Sequence, residues 1–474
     1  MNLILLLPEI SLIALGLILI GLDLIVGEQR KSAVGYVALI GLVFPAVFTL
    51  ILVGRQETSF FDAFVVDNVS LFFKLLLILA AALVIIASFD YVRRLPIFQG
   101  EYYALVLFAT AGMMLMASTR ELISIYISLE LTSITLYVLA SSIRNDLKSG
   151  EAGLKYLLLG ALSSAALLYG MALIYGVTGT TVLVDIASAL GRTGVSPAAM
   201  LGLVFLVAGF GFKIATVPFH MWVPDVYEGA PTPITAFLSV GSKAAGFAVI
   251  LRVFDTGLMA ASSTWLTLFA VLAAVTMTLG NLVAIRQENI KRMLAYSSIA
   301  HAGYIVMGLA AATVAGASSV LVYLLAYALT NLGAFAAVIA FSNHAGSDLI
   351  ADYAGLSRRA PLLSLALSLC LLSLAGIPPM AGFIAKVYLF TAVFEAGLAW
   401  LVLLGLLNSA VSIYYYVRVV RNMYLLPATT EERLPTTLSL QVALSSAVAG
   451  LFLLGLYPTP VLQAALNAAQ ALFP

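Results

Sequence analysis

The sequence predicts an all-α protein that crosses a membrane many times. Of its 474 residues, 62% are hydrophobic and only 9% are charged, whereas about a quarter of the residues are charged in an ordinary soluble domain. Apolar runs of about 20 residues, the length that crosses roughly 30 Å of hydrocarbon, recur along the whole chain. The loops between the runs are short, so we expect neither a soluble domain nor a nucleotide-binding site.

About fourteen such runs can be delimited. The first is too long and too uniformly apolar for a removable signal peptide, so we interpret it as the first span. The predicted spans cover residues 3–26, 33–54, 66–89, 102–118, 121–142, 152–177, 199–221, 233–254, 264–285, 290–312, 316–342, 361–396, 398–425 and 437–457.

Charge and cysteine content exclude several kinds of site. The net charge of +1 gives no reason to expect a nucleic-acid partner. The single cysteine, Cys370, excludes disulfides within the chain, cysteine-ligated iron–sulfur clusters and CxxC metal sites.

The distribution of basic residues predicts the orientation. Odd-numbered loops contain 14 lysines and arginines, and even-numbered loops contain 4, namely Arg55, Arg120, Arg192 and Arg252. The positive-inside rule therefore places the odd-numbered loops in the cytoplasm and both termini outside. The remaining five of the 23 basic residues are lysines within spans: Lys74, Lys155, Lys213, Lys243 and Lys386.

Depth separates these lysines into two kinds. A lone charge at the bilayer centre costs about 3 kcal/mol on insertion scales, and lysine, unlike arginine, can lose its proton when it is buried. Lys74 and Lys155 lie near span ends, where a side chain can reach the headgroups, and Glu9 is placed at a span end as well. Lys213 and Lys243 are too deep to reach the headgroups, which predicts a path for ions.

Prolines interrupt two predicted spans. Pro218 follows Lys213 in the segment FKIATVPFHMW, and Pro378 and Pro379 precede Lys386 in GIPPMAGFIAK. The interrupted span is the fourth member of each of two five-helix units, helices 4–8 and 9–13, and an odd number of spans reverses the second unit. This pattern predicts the inverted repeats of transporters, in which unwound backbone lines a cavity for ions or water.

The repeats divide one membrane domain, residues 1–474, into four parts. These are three peripheral helices (residues 1–100), the first repeat (101–255), the inverted repeat (264–425), and a last helix with a tail (437–474).

One acid and two histidines are further candidates. Glu130 lies ten residues past Arg120, about 15 Å along a helix, and a carboxylate near mid-membrane must be protonated or paired with a cation. His301 lies at mid-depth in the tenth span, where a neutral imidazole suits either a proton relay or a core hydrogen bond. His220 follows Pro218 and fits proton uptake and a structural hydrogen bond equally well. The different depths of the two histidines argue against a shared haem.

Long motifs carry a family resemblance. The segments FKIATVPFHMWVPDVYEGAPTPITAFLS, QENIKRMLAYSSIAHAGYIVMG and GIPPMAGFIAKVYLF, with the pair Leu129 and Glu130, resemble the antiporter-like membrane subunits of respiratory complex I over essentially the whole chain. Lysine at position 386 argues against the M-type subunit and the related D-type cation antiporter subunit. The early C-terminus argues against the L-type subunit.

The resemblance implies roles for individual residues. It implies that Glu130 pairs with Lys213, and that Lys155 belongs to the same proton path. The path would continue through Lys243, His301 and Lys386.

The resemblance also implies the partners. It implies a proton-translocating subunit of NADH:quinone oxidoreductase in the bacterial plasma membrane, assembled with K-, M-, L-, J- and A-type membrane subunits. NADH, FMN, iron–sulfur clusters and quinone are expected on those partner subunits, and no cofactor or metal is expected on this chain.

Two other functions stay open from the sequence. One is a subunit of a multisubunit cation/proton antiporter that exchanges Na⁺ or K⁺, and the other is a structural spacer in a membrane complex. Sodium sites use clustered acidic oxygens, and Glu130 is a single convincing mid-membrane carboxylate, which favours protons. A spacer would not explain buried charges at several depths.

Overall fold

The computed structural model describes residues 2–27, 31–95, 97–428 and 432–473. Arg30, which counts among the loop charges that predict the orientation, lies outside these residues. The described chain is almost entirely helical, which confirms the predicted all-α class. A short antiparallel hairpin of β1 (Glu57–Ser59) and β2 (Phe64–Val66) lies between the third and fourth helices.

The N-terminal helices precede the first break in a span. A 3₁₀ turn, Leu3–Leu6, leads into the first of them. They are α1 (Leu7–Ile25), α2 (Ser32–Gly41), α3 (Val43–Ile51), α4 (Asn68–Arg94), α5 (Gln99–Ser118), α6 (Leu122–Ala140), α7 (Leu147–Thr178), α8 (Leu183–Thr193) and α9 (Pro197–Ile214).

The remaining helices run from that break to the C-terminal end. Short 3₁₀ turns lie at Met259–Ala261 and Ile350–Tyr353, and two π-helical turns lie at Leu238–Ser242 and Leu251–Gly257. The α-helices are α10 (Trp222–Gly229), α11 (Thr232–Phe237), α12 (Lys243–Ile250), α13 (Ser262–Ile285), α14 (Ile290–Ala311), α15 (Val314–Ala345), α16 (Leu356–Arg359), α17 (Pro361–Ala375), α18 (Ala381–Glu395), α19 (Ala399–Leu425), α20 (Leu438–Leu456) and α21 (Thr459–Gln470).

The number of spans agrees with the sequence. Among the described residues, 13 helical stretches are long and apolar enough to cross a membrane. The remaining predicted span, residues 361–396, is divided into α17 and α18, each of which is too short to be counted by itself. The prediction of about fourteen spans is therefore confirmed.

The first break separates α9 from α10. Ala215 takes a left-handed conformation with φ 64°, and the Val217–Pro218 peptide is cis. Inside a membrane the freed backbone groups must find partners within the protein. The Trp222 indole N–H donates to the Phe212 carbonyl oxygen at 3.1 Å, and the Val217 N–H donates to Thr276 Oγ1 at 3.0 Å. A side chain that follows the break and one from α13 therefore stabilise it.

The second break separates α17 from α18. Gly376 has φ 90°, and the Pro378–Pro379 peptide is cis. The Gly382 N–H donates to Ser373 Oγ at 3.1 Å across the break. A Cβ at position 376 would lie 2.8 Å from Lys386 Cδ, so glycine allows both the backbone conformation and the approach of the lysine.

The centre of the molecule is formed by α14, α15 and the stretch Thr232–Gly257, which are almost wholly buried. The first π-helical turn of that stretch, Leu238–Ser242, ends immediately before Lys243. Such turns are rare in proteins, and those that occur often lie at functional sites. This arrangement places Lys243 and the middle of α14 in the core.

Arg252 corrects one sequence prediction. Its side chain is buried within the Thr232–Gly257 stretch, not in a loop. The guanidinium donates to both Asp67 carboxylate oxygens at 2.7 and 3.0 Å, and its Nε donates to the Ala117 carbonyl oxygen. Burial alone would raise the pKa of the Asp67 carboxyl, but Arg252 and hydrogen bonds with Ser70 hold that pKa below its ordinary value. The partner comes from another helix, which is why position along the sequence alone misplaced this arginine.

Lys74 and Glu9 correct a second prediction. Both were expected near headgroups, but Lys74 is 0% exposed and Glu9 is 1% exposed. Lys74 Nζ lies 2.8 Å from Glu9 Oε1 and so joins α4 to α1. The interpretation of Lys74 as a lysine that reaches the headgroups was wrong.

Candidate functional site

Lys213 lies in the last turn of α9, just before the first break. Its buried ammonium donates to Ser133 Oγ on α6 at 3.0 Å. Ser133 follows Glu130 by one turn of α6, and Glu130 accepts a hydrogen bond from Ser164 on α7. The Lys213 ammonium therefore reaches the turn of α6 next to Glu130, and each of the two charged groups bonds a serine instead of the other.

Close packing connects Lys213 to the next lysine. A Cβ at Gly246 of α12 would lie 3.3 Å from Lys213 Cγ. Gly246 follows Lys243 by three residues and so lies on the same face of α12. This glycine brings the helix that carries Lys243 against the Lys213 side chain.

Lys243 is bound to α14. Its buried Nζ donates to the carbonyl oxygen and to the hydroxyl of Ser298, at 2.7 and 2.9 Å. Among the described side chains, no carboxylate forms an ion pair with Lys243. A buried ammonium held only by neutral oxygens is costly, so the site favours a lysine that can release its proton.

His301 lies one turn of α14 beyond Ser298, and it is buried between two tyrosines. Its Nδ1 is 2.9 Å from the Tyr323 hydroxyl, and its Nε2 is 3.2 Å from the Tyr416 hydroxyl. Tyr416 also shares a hydrogen bond with Ser297. In a neutral imidazole one nitrogen donates and the other accepts, and a hydroxyl can do either. The arrangement can therefore pass a proton through the imidazole in either direction.

Lys386 donates hydrogen bonds to the backbone at the second break. Its buried Nζ donates to the carbonyl oxygens of Leu374 and Ala375, at 3.0 and 2.9 Å, and to Ser409 Oγ at 2.8 Å. The two carbonyls end α17, where the break leaves them without helical partners and with partial negative charge. Nζ also lies 5.2 Å from the centre of the Tyr304 ring. The ammonium therefore connects both halves of the broken helix to α19.

Taken together, α14 connects two lysines through one histidine. Ser298, His301 and Tyr304 are three residues apart and share a face of this helix. Ser298 accepts from Lys243, Tyr304 lies against Lys386, and the charges of both lysines act on His301. We call the half-buried Glu130 and the buried Lys213, Lys243, His301 and Lys386 the buried chain.

Lys155 lies elsewhere. Its side chain is 41% exposed, and Nζ pairs with Glu151 at 2.7 Å and with Asp225 at 2.6 Å. Arg292 Nη1 pairs with Asp225 and with Glu228, both at 2.9 Å. This cluster of charges joins α7, α10 and α14 at the end of α10, and the structure does not bring Lys155 into the buried chain.

His220 lies within the first break and is half-buried. Its Nδ1 atom is buried and has no hydrogen-bond partner in the described chain. No cluster of three His, Cys, Asp or Glu side chains that could hold a metal ion occurs among residues 2–27, 31–95, 97–428 and 432–473.

Sequence reasoning missed the neutral members of the site. Ser133 and Ser298 lie close to Glu130 and His301 in the segments SLELTSIT and AYSSIAHAGY, so a search for hydroxyls around buried charges would have found them. Tyr416 comes from a distant helix, and the sequence around it, SIYYYVRV, contains no such signal.

Comparison with known proteins shows the family. Residues 119–412, more than half of the chain, match the family described as NADH:quinone oxidoreductase/Mrp antiporter, TM. The chain belongs to this family. The motif WVPDVYEGAPTP favours the N type of subunit, called subunit 2 in mitochondria, over its paralogues.

Relatives of this NADH:quinone oxidoreductase/Mrp antiporter family member cover its full length. NADH-quinone oxidoreductase subunit N of Moorella thermoacetica is 50% identical, and the match covers 100% of this chain and 99% of that protein. A chain of respiratory complex I from Thermus thermophilus is 37% identical with a TM-score of 0.81, over 96% of this chain and 98% of that one.

The fold is shared more widely within the family. A chain of the Mrp complex from Dietzia has a TM-score of 0.86 at 22% identity, over 99% of this chain and 97% of that one. At that identity the likeness shows the fold alone.

Proposed function

We propose that this chain is the N-type proton-translocating membrane subunit of NADH:quinone oxidoreductase, complex I. The observation that carries the proposal is the buried chain, in which each lysine and the histidine hydrogen-bonds to neutral hydroxyl or carbonyl groups in the core. The full-length similarity to NADH-quinone oxidoreductase subunit N supports the assignment to that enzyme.

The proposed mechanism is electrostatic. A Glu130 carboxylate near Lys213 favours the ammonium form of that lysine, and protonation or withdrawal of the carboxylate removes this stabilisation. The proton then moves to Lys243, passes His301 and its tyrosines, and reaches Lys386. Moving one charge against 100 mV costs about 2.3 kcal/mol. A change of two units in the pKa of a carrier supplies about 2.7 kcal/mol. A modest change of environment at each site is therefore sufficient.

The energy for this movement comes from partner subunits in the proposal. NADH oxidation, FMN, iron–sulfur clusters and quinone belong to those subunits, and this chain responds to their conformational or electrostatic signal. The K-, M-, L-, J- and A-type membrane subunits are its proposed neighbours. We place the chain in the bacterial plasma membrane with both termini outside, as the loop charges predict.

We assign His220 and Lys155, which lie outside the buried chain, to proton uptake. His220 has an unpartnered buried nitrogen within the first break. Lys155 belongs to the charge cluster at the end of α10, which in the predicted orientation faces the cytoplasm. Helix breaks at Pro218 and at Pro378 and Pro379 would supply the polar backbone around the path.

The test is proton pumping by the assembled complex in vesicles. We expect Glu130→Ala and Lys213→Ala to abolish or strongly reduce pumping coupled to quinone reduction, because each removes a charged group for which the neighbouring serines cannot substitute. Arg192→Ala is the control, since this exposed arginine of α8 lies outside both the buried chain and the charge cluster and should leave pumping unchanged. Pumping at the wild-type rate in Glu130→Ala or in Lys213→Ala would contradict the proposal. Sodium-dependent proton movement would instead favour the cation/proton antiporter.

A further inference from the structure

Helix α4 carries two buried ion pairs that are built differently. Asp67 and Arg252 form a two-pronged pair, and Asp67 also accepts from the Ser70 N–H at 2.8 Å. Arginine effectively never releases its proton. This pair therefore fits a fixed anchor between the start of α4 and the stretch Thr232–Gly257.

The second pair, Glu9 and Lys74, has no such support. Its charged atoms are 2.8 Å apart, and neither Glu9 oxygen nor Lys74 Nζ has a hydrogen-bond partner outside the pair in the described chain. A buried carboxylate whose partner is a single ammonium is less well stabilised in its charged form than one that accepts several hydrogen bonds. Replacing such a pair by apolar side chains is often neutral or stabilising, so stability alone does not explain it.

A third group lies against the lysine. Lys74 Nζ is 5.1 Å from the centre of the Phe64 ring, and an aromatic face attracts an ammonium ion. If Glu9 takes up a proton, Lys74 therefore keeps a partner for its charge. In the fixed pair, Arg252 would lose its main partner if Asp67 were protonated.

We propose that Glu9, held against Lys74 and the Phe64 ring, is a proton-binding site separate from the buried chain. The Glu9 carboxylate takes a proton from water and becomes a neutral carboxylic acid, while Lys74 stays an ammonium ion against the ring. Lys74 is the seventh residue of α4, about 10 Å from the start of the helix. The site thus exchanges protons with the aqueous phase at that end.

Few other ionisable groups act on the site. Lys74 is the charged group that acts on Glu9. Of the elements packed against α1 and α4, α2 contributes Tyr36, α5 contributes the acid and two tyrosines of residues 101–103, α12 contributes Lys243, and α15 contributes Tyr323, Tyr327 and His344. At their other ends α1 carries Asp23 and α4 carries Asp90, Tyr91, Arg93 and Arg94. Those α5 residues lie at the end of α5 that is far from Lys74. The opposite end of α5 meets the β2 strand, whose Phe64 lies beside Lys74. Asp67 and Arg252, at the start of α4, neutralise each other.

Infrared spectroscopy of the assembled complex tests the proposal. The protonated-carboxyl signal is followed while the pH is lowered over the range in which the complex stays assembled, and exposed carboxyls, whose pKa is about 4, add to it at the acid end. We expect Glu9→Gln to remove one carboxyl from that signal. We expect Lys74→Arg to remove it as well, because two-pronged pairing holds the carboxylate ionised. Glu57→Gln changes an exposed acid and should leave the signal intact.

The outcomes separate this proposal from the proposed function. Lys74→Arg keeps a cation at the site, so the complex should assemble and pump within about twofold of the wild type. A spectrum unchanged in both Glu9→Gln and Lys74→Arg would overturn the proton-binding site and leave the pumping assignment untouched. If Glu9→Gln does not assemble, the Lys74→Arg spectrum decides alone.

Discussion

Lys386 has two roles that substitution can separate. Its ammonium satisfies the last carbonyls of α17, and it is the proposed final proton carrier. Lys386→Met removes the donor, and a buried acceptor left without its hydrogen bond costs about 1–3 kcal/mol. With the carbonyls of Leu374 and Ala375 both affected, we expect a loss of about 2–6 kcal/mol in stability together with loss of pumping. Lys386→Arg keeps donors and charge but cannot release its proton.

Thermal dissociation of the complex and pumping in vesicles measure the two roles. We expect Lys386→Arg to retain most of the stability and to stop pumping, whereas Lys386→Met should lose both. An arginine variant that pumps at the wild-type rate would show that no proton passes through this side chain. A methionine variant as stable as the wild type would show that the α17 carbonyls do not depend on the ammonium.

Four further predictions concern Asp67, Gly376 and Ser298. Arg252→Met should lower thermal stability by about 3–5 kcal/mol, because Asp67 stays buried without its cation; adding Asp67→Leu should recover most of the loss, and no recovery would contradict this. The pKa of Asp67 is lowered in the folded state, so its stabilisation is present at neutral pH and is lost as pH falls below about 4. Acid titration of thermal stability should show that loss in the wild type and not in Asp67→Asn. Gly376→Ala places a side chain at φ 90° and should lower the free energy of unfolding by about 1–3 kcal/mol. An unchanged melting temperature would show that alanine is not strained at this position. Ser298→Ala removes one of two oxygens that accept from the α12 lysine and should slow pumping while quinone binding persists.

The depth of buried charges was predictable from the sequence. Run length and proline position were enough to place Lys213, Lys243 and Lys386 inside the protein, and Lys213 and Lys386 beside the two breaks, because a helix has a fixed rise per residue. The number of spans followed from the same rule. The inverted relation of the two repeats and the domain limits drawn from it stay predictions.

The partners of those charges were not predictable. Lys74 and Arg252 were assigned to headgroups and to a loop because each lies toward the end of an apolar run. Their acids come from α1 and from the residue before α4, and one sequence does not show which helices are neighbours. The family resemblance implied a direct contact between Glu130 and Lys213, whereas the structure places each on a serine. Such details depend on helix packing and rotation, which hydropathy does not encode.

The central claim is that protons cross the membrane through the buried chain, and Lys243 tests it most directly. This lysine lies in the core, and its Nζ hydrogen bonds go to Ser298. The measurement is the number of protons pumped per quinone reduced by vesicles that contain wild-type or Lys243→Met complex. The account predicts a lower ratio in the variant, because the link from Lys213 to His301 is removed. A ratio equal to that of the wild type would contradict it.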